Sequence, residues 1–293
     1  MTEKEKIDRI IAEFRLFDDD FMSEVLCDNI DVTELVLGII LERDNIKVKS
    51  VKTQVEYHNS AYRSIRLDVE AFDTDGKIYD IEIQRSDLGA GEKRARIHSS
   101  MLDKNLLEKG GDFNDVPDTY VIFITENDYF GLGVPLYHID RTIAEKGHAV
   151  FSDGTHIIYV NGAYRNSEHP VGRLMHDFGS RNAESMYYSE ISKSVKFYKE
   201  SEGGHGQMCR LVEELLEEKA AEVRESVTKE VTESVTKEVT ESATKKAYAQ
   251  KTLEFAKKLI SGKKLDYKTI AEYSGLELDM VIALAMEINA DNT

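Results

Sequence analysis

Asp68 and Glu82 lie at equal distance from a turn centred near Asp75-Gly76. Asp-Gly between two alternating runs is a strong hairpin signal, so the two acids are expected to face each other across paired strands. Strand side chains alternate with period two. Glu82 and Gln84 therefore share one face and Ile81 and Ile83 the other, while Asp68 and Glu70 oppose Leu67, Val69 and Ala71. Matched polar faces on two strands present carboxylate oxygens, the ligands that a hard cation such as magnesium prefers. A cation held there neutralises developing negative charge and generates hydroxide near neutral pH, which phosphodiester cleavage needs. A solvated hairpin face has the same pattern, so the acids alone do not separate the two readings.

Arg85, Lys93, Arg94 and Arg96 follow closely and are candidates for phosphate contacts, or for ordinary helix solvation. Other constellations are weaker. Asp73-Thr74-Asp75-Gly76 imitates a calcium loop, but its glycine comes too early for an EF-hand. His138 with Asp140, and His148 with His156, lack metal-ligand spacing. Gly89-Ala90-Gly91 lacks the lysine and serine of a phosphate-binding loop. Cys27 and Cys209 are the only cysteines, so neither a disulfide framework nor a zinc site is expected, and a reducing cytoplasm is the natural compartment.

The elements that must position the acids follow from periodicity. Ile7, Ile10, Ile11 and Phe14 fall at helical spacing, Asp18-Asp19-Asp20 reads as a turn, and Val32 to Leu41 reads as a buried helix. Ile46 to Tyr57, Arg66 to Phe72 and Lys77 to Gln84 read as three strands, and Glu92 to Leu107 as a helix. Tyr120 to Thr125 is apolar enough for a central strand, His156 to Asn161 is another, and helix follows from Val171 to about Lys199. This order predicts an α/β sandwich with a mixed sheet.

The run RLDVEAFDTDGKIYDIEIQR resembles the D…(D/E)XK signature of the PD-(D/E)XK phosphodiesterase superfamily. Within it, the chain is most similar to the recombination-promoting nuclease/transposase family of bacteria. The stretches TELVLGII, VKTQVEY, GEKRARIHSSMLD, PDTYVIFITEND, YHIDRTI and HIIYVNGAYR extend that resemblance over roughly residues 15 to 200. It implies a restriction-endonuclease-like αβββαβ core, which the element order above matches independently. It implies Asp68 and Glu82 as ligands of Mg²⁺ or Mn²⁺, Gln84 in the place of the superfamily lysine, and Glu34 as an extra catalytic acid. Glutamine supplies neither positive charge nor a proton at neutral pH, but it can orient water or a phosphate oxygen.

Beyond Gly203-Gly204 and Gly206, which read as a boundary, ESVTKEVT occurs at Glu225–Thr232 and again at Glu233–Thr240, with a decayed copy from Glu241. Glu–Lys pairs four apart favour helix. Valines every four residues drift about 40° per step and hold no straight seam. The repeat is either a spacer or a device that joins copies of the chain as a coiled coil. Asp266 and Gly275 then bound one short helix, and Glu277 to Ile288 forms another. This yields a nuclease-like domain at 1–202, an acidic repeat helix at 203–250 and a C-terminal helical module at 251–293. Glu277, Asp279 and Glu287 make that module a poor DNA reader despite its helix-turn-helix spacing.

The 293 residues carry a formal charge of −17, which disfavours tight non-specific DNA binding, although a local basic groove can coexist with an acidic tail. No apolar signal segment or membrane-spanning run is present. The expected function is a cytoplasmic, metal-dependent DNA endonuclease linked to recombination or mobile elements. The alternative is a weak or inactive nuclease fold that binds DNA or protein and self-associates through its C-terminal helix.

Overall fold

A computed structural model describes residues 2–58, 64–106 and 110–290; Leu107, the expected end of the helix after the hairpin, lies outside the described residues. Helix α1 (Glu3–Glu13) opens with a capping box between Thr2 and Glu5 and buries Ile7 and Ile11. Helix α2 (Asp19–Leu26) occupies what reads as a turn followed by apolar residues. Asp19 and Asp20 sit in its first turn, where acids favour the helix dipole. Helix α3 (Ile30–Ile40) is capped by Asn29 and buries Val32, Val36, Leu37 and Ile40.

Strands β1 (Val48–Tyr57), β2 (Ile65–Asp73) and β3 (Ile78–Gln84) form an antiparallel meander. Gly76 takes φ 85° in the turn between β2 and β3, a conformation that side chains with a Cβ resist. Helix α4 (Glu92–Leu106) crosses over to β4 (Thr119–Thr125), which pairs parallel to β3. Strand β5 (Leu136–Ile139) and the small hairpin of β6 (Thr142–Ile143) and β7 (Ala149–Val150) precede β8 (Thr155–Asn161). The main sheet runs β1-β2-β3-β4-β8-β5, with β8 parallel to β4 and β5 antiparallel at the edge. The architecture is the mixed α/β core expected from the element order, with β5 as an added strand.

One face of the sheet, through Val69, Ala71, Ile81, Ile83, Ile122 and Val160, packs with Phe17, Phe21, Val36 and Leu37 of the helical layer. On the other face, Ala95 and Leu102 of α4 meet Val121, Phe123 and Tyr159. Helices α5 (Pro170–Gly179) and α6 (Ser189–Glu200) replace the single helical stretch expected to reach Lys199. The break is fixed by buried Asp177, which accepts the amides of Tyr187 (2.8 Å) and Tyr188 (2.9 Å).

Helix α7 (Glu202–Ser261) begins at the glycines read as a boundary and includes them in its first turns. A Cβ at Gly204 would collide with the Phe197 carbonyl and Tyr198 Cα, so this glycine permits close packing against the end of α6. The chain divides into two compact units, Met1–Glu214 and Leu215–Thr293. In the first, Met208 and Val212 of α7 join the large core. The second holds the remainder of α7, α8 (Tyr267–Ser274) and α9 (Leu278–Ala290) around Ala256, Ile260, Ile270, Val281, Leu284 and Ala285. Asp266 caps α8 and Gly275 closes it at φ 75°. Along the repeat, Val227, Val231, Val235 and Val239 are exposed. Among the described residues, no helix is long and apolar enough to cross a membrane.

Candidate functional site

The paired register of β2 and β3 runs from Phe72–Ile78 to Val69–Ile81. One step further, side chains take over the cross-strand bonding. The Asp68 amide donates to Glu82 Oε1 at 3.0 Å, and the Ile83 amide donates to Asp68 Oδ2 at 3.0 Å. The two expected acids are thus adjacent, each clasping the other's strand. They are not on a solvated face: Asp68 is 8% exposed and Glu82 0%.

Asp80 and Glu70 share this side of the hairpin and are also buried. Tyr57 donates its hydroxyl to Glu70. His98 of α4 places Nδ1 at 2.8 Å from Asp80 Oδ2 and 3.6 Å from Glu82 Oε1. Arg94, one turn earlier, donates to Glu82 Oε2 at 3.1 Å. Burial pushes the Asp68 carboxyl up to about 6, with Asp19 adding to the shift against the Ile83 amide, Arg94 and His98. Burial first, then Asp80 and Asp68, push Glu82 up to about 9. Burial likewise holds Asp80 well above the carboxylate range and His98 below its ordinary value.

Asp80 Oδ1 is buried and accepts no hydrogen bond among the described residues. A buried carboxylate oxygen without a donor is costly, and a cation would satisfy it. One ligand atom from each of Asp80, Glu82 and His98 lies within 4.8 Å of the others. With Asp68 alongside, the donor set is rich in carboxylate oxygen and carries one imidazole, which could hold a divalent cation.

A cleft of about 880 Å³ opens over Asp68, lined also by Asp19, Glu56, Gln84 and the cations Arg66, Arg85, Lys93 and Arg94. Gln84 ends β3 at this cleft, and a Cβ at Gly89 would overlap its carboxamide oxygen, so Gly89 leaves room for that side chain. Arg85 is partly spent on protein acids, bonding Asp18 at 2.7 Å and lying 3.4 Å from Glu126. Arg96 is exposed on α4 and is not among the cleft-lining residues.

Glu34 does not join this group. It accepts from Lys47 Nζ (3.0 Å) and the Val48 amide (2.9 Å), tying α3 to the start of β1, whose Val48 pairs with Asp73 near the turn end of the hairpin. The acid that α2 contributes to the cleft is Asp19. Asp19, Arg66, Asp80 and His98 all escape a reading based on spacing. The Asp18-Asp19-Asp20 run was the available signal for the first, as a helix start instead of a turn. The acidic charge is not confined to the tail either. Of the net −17, residues 1–214 hold −14, with 40 acids against 26 lysines and arginines.

Residues 28–166 match the family described as PD-(D/E)XK nuclease family transposase, a narrower span than the resemblance read from the sequence. That segment contains the whole main sheet together with α3 and α4. The comparisons with curated proteins and with solved structures return no match.

Proposed function

We propose that the core is a metal-dependent DNA endonuclease in which Asp68 and Glu82 hold Mg²⁺ or Mn²⁺. The observation that carries this reading is the crowding of Asp68, Asp80 and Glu82 below an open cleft, with Asp80 Oδ1 accepting no hydrogen bond among the described residues. The family match of residues 28–166 supports it. The bound ion would neutralise charge on the phosphate and make a water acidic enough to attack.

The remaining work falls to the chain itself. Arg66 and Lys93 face the cleft and provide positive charge for a phosphate backbone. Arg94 bonds Glu82 and so holds the carboxylate in place. Gln84, at the cleft end of β3, orients a water or a phosphate oxygen through its carboxamide. The lining includes four cations against three acids, Asp19, Glu56 and Asp68, so DNA affinity depends on the ion's charge as well as on the protein's.

Supercoiled plasmid incubated with the purified chain tests this. Nicking or linearisation with Mg²⁺ or Mn²⁺, abolished by EDTA, is the expected outcome. A second reading, a nuclease fold that binds DNA or protein without cutting, is favoured by Arg94 already occupying Glu82 and by the absence of a lysine at Gln84. Metal-insensitive DNA retention without cleavage at any salt concentration would select it. The exposed valines of the repeat support self-association through this helix. A particle mass above that of one chain in light scattering, lowered by Val231→Glu with Val235→Glu, is expected.

A further inference from the structure

A second cluster of metal-ligand side chains lies in the first compact unit, outside the matched segment 28–166. Asp8 stands on α1, and His205 and Cys209 stand four residues apart on α7, hence on one helix face. One ligand atom from each lies within 4.8 Å of the others. The scaffold beneath them is packed: Ile7 and Ile11 of α1 and Met208 and Val212 of α7 belong to one core.

Of the two contacts His205 makes in this cluster, the one to Asp8 is long for a charge-assisted hydrogen bond and the one to Cys209 is within sulfur hydrogen-bond reach. Asp8 Oδ1 lies 3.4 Å from His205 Nε2, whereas a charge-assisted hydrogen bond closes to about 2.7–2.9 Å. Two ligands about 2.0–2.1 Å from a tetrahedral zinc ion stand about 3.4 Å apart. Cys209 Sγ lies at hydrogen-bond distance, 3.5 Å, from the other ring nitrogen, His205 Nδ1. Because these contacts use opposite ring nitrogens, binding requires a side-chain rotation to bring one nitrogen to both partners. Asp8 Oδ1 itself is shielded from solvent and accepts no hydrogen bond among the described residues.

We propose that Asp8, His205 and Cys209 bind a zinc-type divalent cation that clamps α1 to the start of α7. A thiolate, an imidazole and a carboxylate form a borderline-soft donor set, selecting Zn²⁺ or Co²⁺ over Mg²⁺. The fourth position falls to water, since His205 and Cys209 are only partly buried. Binding forms an S–metal bond and releases the Cys209 thiol proton to solvent. A single cysteine suffices here, so the presence of only two distant cysteines does not exclude such a site.

The test is a Co²⁺ titration of the reduced full-length chain, followed by absorption spectroscopy. A thiolate-to-cobalt charge-transfer band that saturates at one equivalent is expected, with displacement by Zn²⁺ but not by excess Mg²⁺. Cys209→Ser and His205→Ala should abolish the band, and Asp8→Asn should weaken Co²⁺ affinity by about tenfold or more. Cys27→Ser and Asp68→Ala should leave it intact, separating this site from the proposed nuclease centre. Circular dichroism checks that each variant is folded. No band in folded wild-type protein, or a band that survives Cys209→Ser, would overturn the proposal and leave the cluster as a contact between helices.

Discussion

The two ends of the β2–β3 hairpin hold buried acids in opposite circumstances. At the turn, Asp73 accepts from the amides of Asp75 (2.9 Å) and Lys77 (2.8 Å) and from the Tyr79 hydroxyl (2.7 Å). At the other end, Asp68, Asp80 and Glu82 press together, and Asp80 Oδ1 has no hydrogen-bond donor among the described residues. Asp73 organises a turn, and the native chain supplies everything it needs. The cluster instead crowds three carboxyls around Arg94 and His98. The difference supports the proposed metal site more than acidity or burial alone does, since both groups are buried acids on the same two strands.

Cation binding breaks the comparison most directly. Mn²⁺ affinity, measured by calorimetry, should fall by about a hundredfold or more in Asp68→Ala and Glu82→Ala, on the scale of losing a catalytic charge contact. Loss of a donor-satisfied acid should act on folding instead. Asp177→Ala strands the amides of Tyr187 and Tyr188, and Asp73→Ala strands three donors. Each should lower unfolding free energy by about 3 kcal/mol in urea melts.

The crowded acids predict a pH dependence of the opposite character. Asp68 and Glu82 hold protons more tightly in the folded chain than in the unfolded one, so the unfolded chain binds fewer protons in the intervening range. The contribution of these two groups to metal-free stability is therefore greatest below the ordinary carboxylate range. It falls as pH rises through about 6 for Asp68 and about 9 for Glu82. Thermal melts in EDTA from pH 5 to 9 should show this decline, and Mn²⁺ should reduce it. A flat profile would show that the crowding carries no net cost. The smallest expected effect concerns DNA binding: Arg66→Ala should lower the salt-dependence slope by about 1, while Arg96→Ala should leave it unchanged.

Much of this arrangement was legible in the sequence because strands impose period two and Asp75-Gly76 fixes the centre of the hairpin. Those constraints pair Asp68 with Glu82 without any knowledge of packing. They do not reveal that the acids' face is covered by α4, because the approach of His98 and Arg94 is a tertiary event. Asp19 was obscured by a composition that suits a turn and a helix start equally. Strand β5 is short and follows Gly131, Gly133 and Pro135, so loop chemistry masks it. The glycines at the start of α7 lie inside its first turns: propensity disfavours them in a helix, but close packing at Gly204 needs a residue without a Cβ.

The most direct measurement is plasmid cleavage in Mn²⁺ by wild type, Asp68→Ala and Glu34→Gln side by side. Glu34 tests the geometry because it bonds Lys47 and the Val48 amide away from the crowded acids. The account predicts metal-dependent cleavage by wild type and Glu34→Gln, and none by Asp68→Ala. Cleavage that survives Asp68→Ala, or disappears only in Glu34→Gln, would contradict it.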